Sequence, residues 1–417
     1  MDALALLREV FRVAVDAADP RALTPYLPPL PDGRVMVVGA GKAAAAMAQG
    51  VEAHYPLERL AGLVVTRYGH ALPTKRIEVV EASHPLPSEA GVEATERILQ
   101  LVQALGEDEM LLCLISGGGS ALLCAPDGVT LEEKIGVTQA LLRSGASIQE
   151  MNCVRKHLSR VKGGRLAAAC KAQVVSLILS DVVGDDLASI ASGPTVADPS
   201  TYREALEVLA RYRIDAPAAK RALEAGARGE RAETPKPGDP RLEKVENILV
   251  ASNQQSLEEV AAFLCEQGLA AHILSSEISG EAREVAKVHA AIARQVKARG
   301  QPFAPPCALL SGGETTVTVR GKGKGGRNSE FLLALALELR GREGFYALAA
   351  DTDGIDGSED NAGALYYPRI FEAVPEHEAR ALLDKNDSYT FFARAGALLK
   401  SGPTRTNVND LRVILIL

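Results

Sequence analysis

The stretch MLLCLISGGGSALL, residues 110–123, decides how this chain is read. An apolar run ends at Ser116-Gly117-Gly118-Gly119-Ser120 and then resumes. The run MLLCLI reads as a buried strand, and a strand without polar positions belongs to a sheet covered by helices on both faces. Three consecutive glycines contribute no side chain to the core and sacrifice backbone entropy. Something must approach this backbone closely.

Outward from it, short Val/Ile/Leu-rich runs alternate with helical patterns, the signature of α/β architecture with mostly parallel sheets. Strands are expected at 34–38, 62–66, 77–81, 110–115 and 174–179, then at 247–251, 271–275, 307–311, 315–319, 345–350 and 411–416. Helices are expected to begin at Ser88, near Thr130 and at Ser256, and the first twenty residues read as an amphipathic helix. At 417 residues the chain exceeds one compact core, so two domains are expected. The charged, proline-bearing stretch 228–243 reads as the linker, dividing the chain into domains 1–235 and 236–417.

Composition narrows the function. Aromatic residues are 4% with no Trp, which disfavours stacking platforms for single-stranded nucleic acid. A net charge of −7 argues against a nucleic-acid surface. The six cysteines form no CxxC pair, so no disulfide or zinc framework is implied. No apolar run approaches the roughly 18 residues of a membrane span, and the N-terminus does not read as a signal peptide. A cytoplasmic protein is expected.

Ligands of such sheets lie beyond the carboxyl ends of the strands. Three glycine-rich segments are expected there. In VMVVGAGKAAAAMA, Gly39, Gly41 and Ala44 fit the relaxed dinucleotide pattern GxGxxA, but GLVVTRYGH lacks the acidic residue that would hold an adenine ribose. Arg67 would suit a 2′-phosphate instead. Lys42 at the start of the following helix opposes the helix dipole by roughly 0.3–1 kcal/mol, a penalty that a bound anion reverses. The second segment is 116–120, with the hydroxyls of Ser116 and Ser120. The third is LSGGETTVTVRGKGKGGRNSEF, where Gly312, Gly313 and Glu314 follow a strand and a glycine–lysine run leads into a helix. Asn328 or Ser329 would cap that helix. Arg327 would stand at its mouth, ready for charge-assisted bonds to phosphate or carboxylate.

Walker A, GxSxG and HExxH patterns are absent. His84, before a proline in ASHPLPS, reads equally as a structural histidine or a ligand contact. Asp181, Asp185 and Asp186 follow one apolar strand, and Asp351, Asp353 and Asp356 follow another. Such carboxylates serve as magnesium ligands, as a base for a hydroxyl, or simply as Asx-turn formers.

Seven segments in order, VGAGKAAAAMA, SHPLPSEAG, ISGGGSALL, LSDVVGDDLASIASGPT, LSGGETTVTVRGKGKGGRNSEF, DTDGIDG and GPTRTNVNDL, resemble the class II glycerate kinases. This is the glycerate 2-kinase family, whose C-terminal part is called the MOFRL domain. The resemblance implies two Rossmann-like α/β/α domains facing across a cleft. It implies phosphorylation of D-glycerate by ATP with Mg2+, at the 2-hydroxyl, giving 2-phosphoglycerate and ADP. It matches Lys42 and Arg327 to the family's active-site cations and Asp181 to an active-site carboxylate. Asp181 or Asp185 would be base or metal ligand, with Asp353 and Asp356 as alternatives; Asp181 and Asp353 are the magnesium candidates. The ligand-binding candidates are Gly39, Gly41, Ser116, Gly117, Gly118, Gly119, Ser120, Gly312, Gly313, Glu314, Asn253, Asn328, Asp353, Asp356 and Asn409. Family members often carry Gln where this chain has Ser329. The expected partners are D-glycerate and ATP, with neither nucleic acid nor membrane, and a homodimer is allowed. The rival expectation is an NAD(P)H-dependent hydroxypyruvate reductase, a label also attached to homologues.

Overall fold

The computed structural model describes residues 2–417 and divides into two compact units. One comprises Pro20–Val250; the other joins the segment ending at Asp19 to Ala251–Leu417.

The first unit holds β1 (Val35–Ala40), β2 (Leu60–Arg67), β3 (Ile77–Ala82), β4 (Met110–Ile115), β5 (Gln173–Leu179) and β6 (Val245–Ala251), in the order β3-β2-β1-β4-β5-β6. Pairings β1–β2, β1–β4, β2–β3 and β4–β5 are parallel and in unbroken register. Every residue of β1 and β4 is buried. Met36, Val38, Leu111 and Cys113 fill one core cluster, and the alternate residues Val35, Val37, Leu112 and Leu114 are equally buried. That is the period of two with both faces covered. Because β2 lies on one side of β1 and β4 on the other, the strand order reverses between β1 and β4, where open α/β sheets take their ligands. A further cluster joins the helices Leu131–Ser144, Ile148–His157, Tyr202–Arg211 and Pro217–Ala227. The first starts at a capping box between Thr130 and Glu133 and stops at Gly145, whose φ is +79°.

The second unit holds β7 (Ala270–Glu281), β8 (Cys307–Thr316), β9 (Phe345–Asp351), β10 (Gly363–Tyr366), β11 (Leu398–Leu399) and β12 (Asp410–Ile416), in the order β11-β10-β9-β12-β8-β7. Alternation sorts its two faces. Cys307, Leu309, Ala347, Ala349, Ile414 and Ile416 pack with the helices Ala282–Arg299 and Arg327–Leu339. Ala308, Leu310, Leu348, Val413 and Leu415 pack with Leu6, Leu7, Val10 and Phe11 of helix Ala3–Ala17 and with helix Asn253–Glu266. The N-terminal helix is set by Asp2, whose carboxylate accepts from the N–H groups of Leu4 and Ala5 at 3.0 and 3.2 Å.

The α/β class and two-unit organisation agree with expectation, and several particulars differ. The second sheet is mixed: β7–β8 is parallel, whereas β12 pairs antiparallel with β8 and β9, as do β9 with β10 and β10 with β11. Four strands therefore share one direction, with β10 and β12 opposed. An all-apolar strand suits a buried position in either sense, so its pattern carries no direction. The boundary falls at 250/251 rather than 235/236 because β6 completes the first sheet. The N-terminal helix belongs with the C-terminal residues.

The expected linker 228–243 is a packed strap. Glu233 Oε1 hydrogen-bonds His157 Nε2 at 2.7 Å, Thr234 Oγ1 donates to Asp198 Oδ2 at 3.1 Å, and Arg231 pairs with Asp127. Its charges are spent on partners that composition cannot reveal. In place of strands at 307–311 and 315–319 there is one strand that ends at Thr316, and the helix expected from Ser256 starts at Asn253, with the Ser252 hydroxyl accepting from Gln255 N. Among the described residues no helix is long and apolar enough to cross a membrane.

Leu7 is fully buried against the second sheet. Leu7→Ala should therefore destabilise the C-terminal unit by about 2–4 kcal/mol, read by denaturant unfolding with faster amide exchange in helix Asn253–Glu266. A change of a few tenths of a kcal/mol would place that helix outside the unit's core.

Candidate functional site

At the β1/β4 switch, side-chain space is already filled by the chain itself. A Cβ on Gly39 would lie 2.1 Å from Leu114 O, and one on Gly41 would lie 2.0 Å from Ser116 Oγ. The Ser116 hydroxyl accepts from Ala43 N at 3.1 Å, and Lys42 N donates to Gly117 O at 2.8 Å, fastening the first glycine segment to the second. A Cβ on Gly117 would come 1.9 Å from Asp181 Oδ2, and one on Gly119 would come 2.7 Å from Ala191 Cβ. These contacts explain why the positions are glycine.

Gly118 differs. It has φ +84°, and a Cβ there would meet His84 Cδ2 at 3.0 Å, His84 Nε2 at 3.1 Å and Lys42 Cγ at 3.5 Å. Its neighbours are the side chains able to act on a ligand. Among the described residues, no carboxylate forms an ion pair with Lys42. Burial first, then the charges of Lys42, Arg67 and His70, push the His84 imidazole down to about 4, so it is neutral at pH 7.

Behind this turn, Ser120 Oγ lies 2.9 Å from Ser192 Oγ, and the Ser192 hydroxyl donates to Asn152 Oδ1 at 3.0 Å. Ala191 and Ser192 have φ +51° and +62°, a left-handed conformation costing roughly 1–2 kcal/mol per residue. It is held by Lys162 Nζ donating to Ala191 O at 3.3 Å and by Gly163 N donating to Ser192 O at 3.1 Å. Asp181 thus borders the glycine turn, and Asp185 stands four residues further along with φ +52°. Asp186 closes its own loop, accepting from Ala188 N at 3.1 Å and from the Ser189 hydroxyl at 2.6 Å.

The second unit gathers charge around Arg327. Its Nε donates to Asp410 Oδ1 at 2.7 Å, Nη1 to Glu314 Oε1 at 2.6 Å and Nη2 to Asp351 Oδ2 at 2.8 Å. Asp410 and Asp351 are direct cross-strand partners on β12 and β9. Like charges so placed repel, and the guanidinium between them supplies the counter-charge. Burial opposes the charged form of Arg327, but Asp410, Asp351 and Glu314 outweigh it and raise its pKa. Three of the five guanidinium N–H groups are therefore committed, leaving two. The charge-assisted bonds expected of Arg327 at the helix mouth are made, in this structure, to three carboxylates of the protein itself.

Asp410 is fully buried and also bonds Asn328 Nδ2 at 2.7 Å, Thr315 N at 3.2 Å and Arg412. Sequence reading missed Asp410 and Arg412. The signal was present: two charges at i and i+2, hence on one sheet face, inside an otherwise apolar strand.

Several predicted residues are placed by structural work. Gly312, Gly313 and Glu314 lie within β8 rather than in a loop, where β7 shifts register. Gly313 has φ +98°, and a Cβ there would lie 2.3 Å from Ile278 O; glycine accommodates the irregular pairing. A Cβ on Gly312 would strike Asn253 Oδ1 at 1.5 Å. Asn253 Nδ2 donates to Val408 O and Asp410 O, while Asn409, at φ +68°, accepts through its carbonyl from Thr352 Oγ1. Asn253 Oδ1 and Asn328 Oδ1 are buried without hydrogen-bond partners among the described residues.

The N-cap of the helix at Arg327 is Gly326 rather than Asn328 or Ser329, and the Ser329 hydroxyl contributes by accepting from Gly326 N at 3.1 Å. The buried carboxylate of Asp356 accepts from Asn328 N at 2.9 Å and Ser329 N at 2.8 Å. Asp351 accepts from Asp353 N, and Asp353 from Ile355 N, both Asx turns. The glycine–lysine run is also tied down: Arg320 N and Gly321 N donate to Asn386 Oδ1, and Lys324 N to Asp387 Oδ1. Among the described residues no group of three or more His, Cys, Asp or Glu is arranged to hold a metal ion.

Comparison with known proteins agrees with this architecture. Residues 6–224 match DUF4147, a domain of unknown function, and residues 307–410 match the MOFRL family. A protein of Agrobacterium vitis provisionally named a hydroxypyruvate reductase is 51% identical, the alignment covering 99% of this chain and 94% of that one. The D-glycerate 2-kinase of Thermotoga maritima is 43% identical, with 98% of this chain and 97% of that one aligned. The crystal structure of glycerate kinase from Thermotoga maritima superposes with a TM-score of 0.92 at 42% identity, covering 99% of each chain.

Arg327→Ala should destabilise the C-terminal unit by on the order of 3 kcal/mol, because it takes the counter-ion from buried Asp351 and leaves the opposed carboxylates with Arg412 on Asp410 alone. Adding Asp351→Asn should restore part of the loss in denaturant unfolding. Unchanged stability in the single variant would remove the guanidinium from this structural role.

Proposed function

Because this chain belongs to the class II glycerate kinase family with a C-terminal MOFRL region, we propose that it phosphorylates D-glycerate. ATP is the proposed donor and the 2-hydroxyl the acceptor, giving 2-phosphoglycerate and ADP. The observation that carries this reading is Lys42: an ammonium without a carboxylate partner among the described residues, at the strand-order switch and beside bare Gly118.

Phosphoryl transfer asks a protein mainly for positioning and charge neutralisation. Lys42 supplies a mobile positive charge to oxygens held over Gly118. If it acts on charge developing in the transition state, its contribution is on the order of 3–4 kcal/mol, as for other preorganised donors. Asp181 brings a carboxylate against the Gly117 backbone, in the right class to take the proton of a hydroxyl or to hold magnesium. Magnesium suits this arrangement, since that ion commonly uses one or two carboxylates and takes its other oxygens from water and phosphates. When bound, it would neutralise phosphate charge. Arg327 offers its two remaining N–H groups from a fixed position, its charge sustained by three carboxylates.

The reductase reading has a relative's name in its favour. Two observations weigh against it. β2 ends in Thr66-Arg67, without the acidic residue that holds an adenine ribose. The space at Gly39 and Gly41 is occupied by β4 and Ser116, so those glycines answer to the protein's own packing.

The purified protein should form ADP only when D-glycerate, ATP and magnesium are all present, with 2-phosphoglycerate as the product. Lys42→Ala should retain the parent circular dichroism and lose about 10²-fold or more in turnover. Full ATP-dependent turnover in that variant, or oxidation of NAD(P)H by hydroxypyruvate without ATP, would contradict the reading.

A further inference from the structure

Two basic side chains that the phosphotransfer reading leaves unused stand at the carboxyl ends of β2 and β3. Arg67 is the last residue of β2 and pairs in register with Ala82, the last residue of β3. His84 follows two residues later. The sheet order sets these ends next to β1, whose loop carries Lys42. The His84 ring and the Lys42 stem flank the same bare position, the missing Cβ of Gly118.

Two of the charges here, on Lys42 and Arg67, are not matched by an ion pair among the described residues. Lys42, Arg67 and His70 all act electrostatically on His84. Among the described residues neither Lys42 nor Arg67 forms an ion pair, and neither ring nitrogen of His84 makes a hydrogen bond. The carboxylates of β3 are occupied elsewhere. Glu78 pairs with Arg97, while Glu81 accepts from Gly69 N at 2.7 Å and Ala71 N at 3.2 Å. Lys42 and Arg67, neither in an ion pair, repel one another when drawn together, and an anion between them converts that repulsion into binding.

We propose that Arg67 and His84 complete, with Lys42, an anion subsite over Gly118 that grips the carboxylate or phosphoryl group of a substrate. The three side chains divide the work by chemistry. Lys42 is a movable point charge, Arg67 a planar fork suited to two oxygens of one group, and His84 an uncharged imidazole donating a single N–H. A neutral donor beside two cations adds direction without adding repulsion. The proposal depends on the kinase reading only for the identity of the substrates; anion recognition is a separate property.

The test uses the full-length protein with Arg67→Gln, Arg67→Lys and His84→Gln. KM for D-glycerate, KM for ATP and kcat are measured, and the binding of D-glycerate and of inorganic phosphate is followed by calorimetry without turnover. Arg67→Gln should raise one substrate's KM by about tenfold or more with kcat held within about threefold, the pattern of lost ground-state binding. Arg67→Lys should recover part of that loss, and His84→Gln should shift the same KM. A rise confined to D-glycerate identifies the substrate carboxylate as the occupant; a rise confined to ATP identifies a phosphoryl group. A protein inactive toward glycerate would still lose calorimetric anion binding in Arg67→Gln, so the subsite is judged apart from the activity. Folded Arg67→Gln and His84→Gln proteins with every KM and binding constant within about twofold of the parent would overturn the proposal.

Discussion

The backbone of Gly117–Gly119 is gripped on successive sides by Asp181, His84 and Ala191, and the arrangement of the N-terminal unit depends on that fit. A glycine-rich turn is usually read as space reserved for a ligand. Here most of the space is taken by the protein: Asp181 at Gly117, Ala191 at Gly119 and Ser116 at Gly41. Gly118 is instead bordered by His84 and by the stem of Lys42, and the Asp181 carboxylate stands beside it at Gly117. The turn is rigid for the same reason that it is bare. Its amides and the side chains around it are placed before any ligand arrives, and preorganised donors stabilise charge without reorganising during reaction.

The C-terminal unit solves a different electrostatic problem. Register sets Asp351 opposite Asp410 on adjacent antiparallel strands, and Arg327 bridges them from the first turn of a helix. That helix is capped by Asp356, whose two oxygens each take one backbone N–H. Arg412, fully buried, closes the cluster from the far side by bonding Asp410 and donating to Gly312 O at 2.9 Å. Arg327 thus has a structural duty beside the chemical one proposed for it. Its loss would disturb the fold as well as any ligand, whereas Lys42 has no such second duty in the ion pairs of the described residues.

Much of this was legible from residue patterns. Continuous apolar runs located β1, β4, β5, β9 and β12 to within a few residues, and the helix expected near Thr130 begins at Leu131. What escaped depends on partners distant in sequence. Asp356 caps a helix that begins 29 positions earlier, and no local rule links them. The strap 228–243 looked like a linker because its charges are meaningful only beside Asp127, His157 and Asp198. The directions of β10 and β12 escaped because side-chain periodicity is the same in either sense. The glycines advertised close approach, and at Gly39, Gly41, Gly117 and Gly119 the protein's own atoms are what stands where a Cβ would be.

The central claim is that Gly118, bordered by Lys42 and His84, is where the substrate's negative charge is held. A crystal structure with D-glycerate and a non-hydrolysable ATP analogue tests it most directly. The account predicts a carboxylate or phosphate oxygen within about 3 Å of Lys42 Nζ, above Gly118. Both ligands bound away from the β1/β4 switch, with Lys42 turned to solvent, would contradict it.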